Sequence, residues 1–120
     1  MTADKDRTSH AEAARDEVIR DFKDRVNLAP AELERWLERP ESKEVGQKSG
    51  GTGESVGHDS GRRIVKLLRT KKADYDDADI DHMRKVNGYI ARHLAQRPDG
   101  DVTDSRWRYS LMNWGHDPTK

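Results

Sequence analysis

The sequence predicts an all-α protein, a small compact bundle of about five helices with a flexible glycine-rich loop between the second and third. Three observations point there. Apolar residues recur at three- and four-residue spacing along the chain. No segment sustains the two-residue alternation of a strand. The prolines fall at the ends of the periodic segments, where a helix starts or stops.

The first helix is expected from about Ala11 to Val26, with Val18, Ile19, Phe22 and Val26 on one side. "NLAP" breaks it, because a residue before proline disfavours the α region. Pro30 suits the first turn of a second helix, "PAELERWLER", whose Leu33, Trp36 and Leu37 form an i, i+3, i+4 patch. Pro40 is read as its stop. Residues 41–57, "ESKEVGQKSGGTGESVG", hold five glycines and almost nothing apolar, which reads as a flexible loop. "HDSGRRIVKLLRTKK" opens a third helix with Asp59 or Ser60 as N-cap and Ile64, Leu67 and Leu68 inward. The fourth, "DADIDHMRKVNGYIARHLAQR", has a buried stripe of Ile80, Met83, Val86, Ile90 and Leu94, and its aspartates suit the positive end of the helix dipole. A last helix spans about Asp104 to Asn113, stopped by Gly115 and Pro118. The organisation is then a flexible N-terminus (1–10) and one helical domain (11–120), divided into a hairpin (11–40), the loop (41–57) and a three-helix part (58–120).

Composition narrows the function. The 120 residues are 38% charged and 32% hydrophobic with a net charge of zero, so the core is small and bulk positive charge does not coat nucleic acid. Charge is nonetheless segregated: residues 46–72 carry seven bases against two acids, and 73–83 carry five aspartates and no base. The absence of cysteine removes disulfides, thiol nucleophiles and thiolate metal sites. The opening MTADKDRTSH has no apolar stretch of a secretory signal, and no apolar run reaches membrane length, so the expectation is a soluble cytoplasmic protein with no membrane partner.

"GHDSGRRIV", "DHMRKVNGYIARHLAQRPDGD" and "RWRYSLMNWGHDP" resemble a bacterial and fungal family of unknown function whose members are often labelled DNA-binding proteins. The resemblance runs from about residue 20 onward and implies nucleic-acid binding without supplying catalytic residues.

On the residues themselves, the third helix is the candidate interface. Arg62, Lys66 and Arg69 share one side, Arg63 flanks them, and Lys71 and Lys72 follow; such a face suits a phosphate backbone. A solvated face, or ion pairs with the aspartates of 74–81, is the competing reading. The second helix is too acidic at Glu32, Glu34 and Glu38 to enter a groove. Gly-His-Asp occurs at 57–59 and 115–117, yet the five histidines lack metal-site spacing, and His82 and His93 lie about 16 Å apart by helix rise. No metal or cofactor is expected. "GTGESVG" lacks the lysine of a phosphate-binding loop, and no serine sits in a nucleophile elbow, so no enzyme is expected.

Trp107, Leu111 and Trp114 fall at i, i+4 and i+7, the spacing of a packing face. With Phe22, Trp36, Ile64, Leu68, Met83, Ile90 and Leu94 they make the expected core, so the aromatic tail reads as a clasp rather than a platform for bases. The function expected is DNA binding through phosphate contacts; the alternative is a protein-interaction adaptor with acidic and basic faces.

Overall fold

A computed structural model describes residues 2–45 and 56–120, with side-chain surroundings for 12–45 and 57–120. Among the described residues, six α-helices run in order: α1 (Thr2–Arg25), α2 (Pro30–Leu37), α3 (Pro40–Val45), α4 (Val56–Leu68), α5 (Asp77–Leu94) and α6 (Arg106–Asn113). A single 3-10 turn, Lys72–Asp74, joins α4 to α5, and the described residues contain no strand. No helix among them is long and apolar enough to cross a membrane.

α1 begins at Thr2, well before the expected start near Ala11. Ile19, Phe22 and Val26 bury on one side of this end of the chain, and α1 packs along α5. Ala29 then sits extended, as the residue before proline must, and its N–H donates to the Glu32 carboxylate at 3.0 Å. Pro30 opens α2, which ends at Leu37.

Pro40 corrects the sequence reading. It does not close α2; it opens α3, where its missing N–H costs nothing. Residues 41–45, assigned to the loop, are therefore helical, and the rest of that loop from 46 to 55 lies outside the described residues. α4 likewise starts at Val56, so Asp59 and Ser60 are interior residues rather than caps. Gly61 explains why a glycine stands inside a helix. A Cβ there would lie 2.6 Å from the Asn113 carbonyl oxygen and 2.7 Å from a Leu37 methyl, so the α4 backbone closely approaches the α6 backbone and an α2 side chain.

α5 is capped by aspartates on both sides of its first turn: Asp76 Oδ1 accepts from the Asp79 N–H at 2.8 Å, and Asp79 Oδ2 accepts from the Asp76 N–H at 3.1 Å. Ser105 caps α6 by accepting from the Arg108 N–H at 3.1 Å. The core gathers Phe22, Trp36, Ile64, Met83, Ile90, Trp107, Leu111 and Trp114 in one cluster, while Leu68 and Leu94 pack against it half-buried. The other side of α6 is covered as well, because Tyr109 lies 5.4 Å from Trp36, ring centre to ring centre.

Beyond α6 the chain turns at Gly115, whose φ of +85° favours glycine, and runs across the α1–α2 turn. The Gly115 carbonyl accepts from the N–H groups of Asn27 and Leu28 at 3.0 and 3.1 Å. Asn27 exchanges two further bonds with Asp117, at 3.0 and 2.7 Å. Buried Asn113 ties three helices together: its Oδ1 accepts from Trp36 Nε1 at 2.8 Å and from the Ser42 hydroxyl, and its Nδ2 donates to the Ser42 carbonyl at 3.0 Å.

Candidate nucleic-acid interface

Helix periodicity puts Arg62, Arg63, Lys66 and Arg69 on the outside of α4 because Ile64, Val65 and Leu67 take the inside. All four are exposed, as are Lys71 and Lys72 just beyond the helix. They are not equally available. Arg69 donates to the Glu34 carboxylate of α2, a bond that holds that carboxyl below its usual range. Lys72 pairs with Asp16 of α1 at 3.1 Å, and Arg63 pairs with Asp79 at 3.5 Å. Of the anticipated internal network with the aspartates of 74–81, the Arg63–Asp79 pair is therefore present. The partners of Arg69 and Lys72 come from α2 and α1 instead.

Between α4 and α5 lies an open groove of about 730 Å³. Arg62, Arg63 and Lys66 line it from α4 and Lys85 lines it from α5; Asp59, Asp76 and Asp79 supply negative charge at the same walls. His82 and Ser60 lie between these walls, with Ser60 Oγ and His82 Nε2 sharing a 3.1 Å hydrogen bond. The His82 ring is stacked on Trp114, 6.5 Å between centres and 12° between planes. Burial, then the nearby charges of Arg63 and Lys85, push the imidazole pKa down; the Ser60 bond and Asp59 pull it part of the way back. Sequence periodicity marked His82 only as a flank residue, with Lys85 one turn further along α5, and nothing local announced Ser60 and Arg63 of α4 as its neighbours across the groove.

His82 also begins a ladder of near-parallel rings. Trp114 stacks on Tyr89 at 4.1 Å, Tyr89 on His93 at 5.2 Å and His93 on Trp107 at 6.0 Å, and the Arg97 guanidinium lies 5.6 Å over Trp107. His93 and Trp107 also exchange bonds, His93 Nε2–H to the Trp107 carbonyl at 3.2 Å and Trp107 Nε1–H to the His93 carbonyl at 2.7 Å. Burial lowers the His93 pKa and that first bond partly restores it. With both indoles buried in this way, they are committed to the fold.

The two Gly-His-Asp repeats do not meet as metal ligands. Each places an imidazole on the last carbonyl of a helix: His58 Nε2 on Leu37 of α2, and His116 Nδ1 on Arg25 of α1 at 2.6 Å. A carbonyl only accepts, so each ring nitrogen there carries the proton. The aspartates differ. Asp59 is exposed, whereas Asp117 accepts a two-pronged bond from Arg108 at 3.1 and 3.0 Å and two more from Thr119. Burial would raise the Asp117 pKa, but Arg108 and Thr119 outweigh it and hold the carboxyl at about 2. Among the described residues no group of three or more His, Asp or Glu side chains is placed to hold a metal ion.

A family model described as "Protein of unknown function (DUF3140)" matches residues 21–112, well over half of the chain. No curated protein and no solved structure matches.

Proposed function

The chain belongs to the DUF3140 family, a family of unknown function, and we propose that it binds nucleic acid through phosphate contacts from the outer face of α4 and the groove beside it. One observation carries this reading: Arg62, Arg63 and Lys66, within two turns of one helix, share an open groove with Lys85 of α5. Each phosphate neutralised by such a group releases condensed counterions, which favours binding at low salt. The Arg63–Asp79 pair does not oppose it strongly. Its side chains are 42% and 23% exposed, and pairs of this kind are weak and exchangeable.

Arg69 and Lys72 contribute less because they do not line the groove; their pairs with Glu34 and Asp16 are as exposed and exchangeable as that of Arg63. About four phosphate contacts then correspond to a salt slope of roughly −3 to −4 on duplex DNA. A fluorescence-anisotropy titration with a labelled duplex tests this. Binding at low salt should weaken steeply as salt rises, and absence of binding at low salt removes the proposal. Replacing Arg62, Lys66 and Lys85 together with alanine should abolish binding while the melting temperature stays nearly unchanged.

The acids of the same groove support a second reading, an adaptor that takes a protein segment bearing both charges. A specific protein that co-purifies through nuclease treatment and moderate salt would favour it over the first.

A further inference from the structure

His82 is the one imidazole of the groove, and the groups around it come from three elements. Asp59, Ser60 and Arg63 face it from α4, Asp79 and Lys85 stand one turn to either side of it on α5, and the Trp114 ring covers it from the tail. Arg63 and Lys85 act against a proton on the ring, while Asp59 acts for it. Asp79 is occupied by Arg63 and by the Asp76 N–H. Burial is the first cause that keeps the ring neutral and the two cations add to it; those cations are the groups a phosphate would engage.

Resting on the nucleic-acid reading above, we propose that His82 makes phosphate binding in this groove proton-linked: a phosphate seated on Arg63 and Lys85 draws a proton from solvent onto the His82 imidazole. The phosphate cancels the repulsion that those two cations exert on imidazolium, and it adds an anion beside the ring. The Ser60 contact survives the change. A neutral ring can accept the Ser60 hydroxyl at Nε2, whereas imidazolium must donate there, and a hydroxyl oxygen accepts as readily as it donates. Proton and phosphate therefore favour each other, and by linkage the coupling is the same from either side.

Two measurements test it on the full chain. The first is affinity for a labelled duplex at fixed salt from pH 7.5 to 5.5. Binding should tighten as pH falls, by about tenfold for each unit by which phosphate raises the His82 pKa, and His82→Gln should flatten the profile. A flat wild-type profile, or an unchanged slope in His82→Gln, overturns the proton linkage while leaving nucleic-acid binding in place. The second follows the His82 ring resonances of the unmodified protein by NMR across the same pH range, with and without inorganic pyrophosphate. A raised His82 pKa with pyrophosphate, in a protein that binds no duplex at any pH, keeps the proton-linked anion site and rejects nucleic acid as its ligand. A His82 titration that neither duplex nor pyrophosphate moves rejects the site itself.

Discussion

The C-terminal tail and the outer face of α4 are built from the same groups, arginine–carboxylate pairs and imidazoles, and use them in opposite ways. In the tail, Arg108 and Asp117 are 18% and 12% exposed, joined by two parallel bonds and backed by Thr119. Beside α4, Arg69 just past its end and Glu34 of α2 are 51% and 48% exposed and joined through one nitrogen. Burial separates the two cases. A pair shielded from water keeps its Coulomb attraction and holds the chain in one arrangement, whereas an exposed pair is screened and competes with any other anion. The imidazoles divide the same way: those of His58 and His116 are fixed on helix-end carbonyls, while His82 stands at an open groove. The lesson is that charge at the surface of this protein is an exchangeable reserve, and charge beneath it is part of the frame.

The largest effect that could break this contrast is expected at Trp114. Trp114→Ala removes the ring between Tyr89 and His82 and should cost about 3–5 kcal/mol. In a domain of this size that should lower the midpoint of the thermal transition followed by circular dichroism by roughly 10–25 °C. A transition near the wild-type temperature would show that the tail is dispensable. Gly61→Ala comes next. Helix propensity alone favours alanine by up to about 1 kcal/mol, but the new methyl would meet the Asn113 carbonyl and Leu37. Crowding of this kind costs roughly 1–3 kcal/mol, so chemical denaturation should show a net loss of stability.

Asp117 gives a smaller and pH-dependent effect. Its folded pKa of about 2 lies below the ordinary 3.8. The stability it supplies is thus present above pH 3.8 and is lost as pH falls from there through about 2. The loss is on the order of 2 kcal/mol. Asp117→Asn should therefore be less stable at neutral pH and show a shallower acid limb than the wild type in melts between pH 4 and 2. Arg69→Ala stands at the other end of the scale. Its bond to Glu34 is half exposed and screened by water, and the melting temperature should hardly move. A clear drop would place that pair with the frame rather than the reserve.

Sequence periodicity located α2, α4, α5 and α6 because each buries a stripe that recurs every three or four residues. It misread Pro40, since proline both stops and starts helices and only the fold shows which side the chain continues on. It placed the start of α4 too late because Gly57 and Gly61 resemble loop residues until Trp114, Asn113 and Leu37 are seen pressed against them. The cations of α4 were legible as a face. Their neutralisation was not, because Glu34 and Asp16 reach Arg69 and Lys72 from distant parts of the chain. The ring ladder was hidden for the same reason: His82, Tyr89 and His93 share a flank of α5, but the rings that complete the stack come from α6 and the residue after it.

The bonds across the α1–α2 turn also impose an order on how the fold is completed. Asn27 and Asp117 are 90 positions apart, and Asn27, Leu28 and Arg25 all find partners between Gly115 and Asp117. A chain growing from its N-terminus makes the first helical hairpin early and the groups that lock it only 90 positions later. Until then the turn keeps its polar backbone in water, and the Trp36 N–H waits for Asn113. Such long-range closure slows folding and prolongs the exposure of apolar faces. Closure of the α1–α2 turn in this protein therefore waits until residues 113–117 are in place.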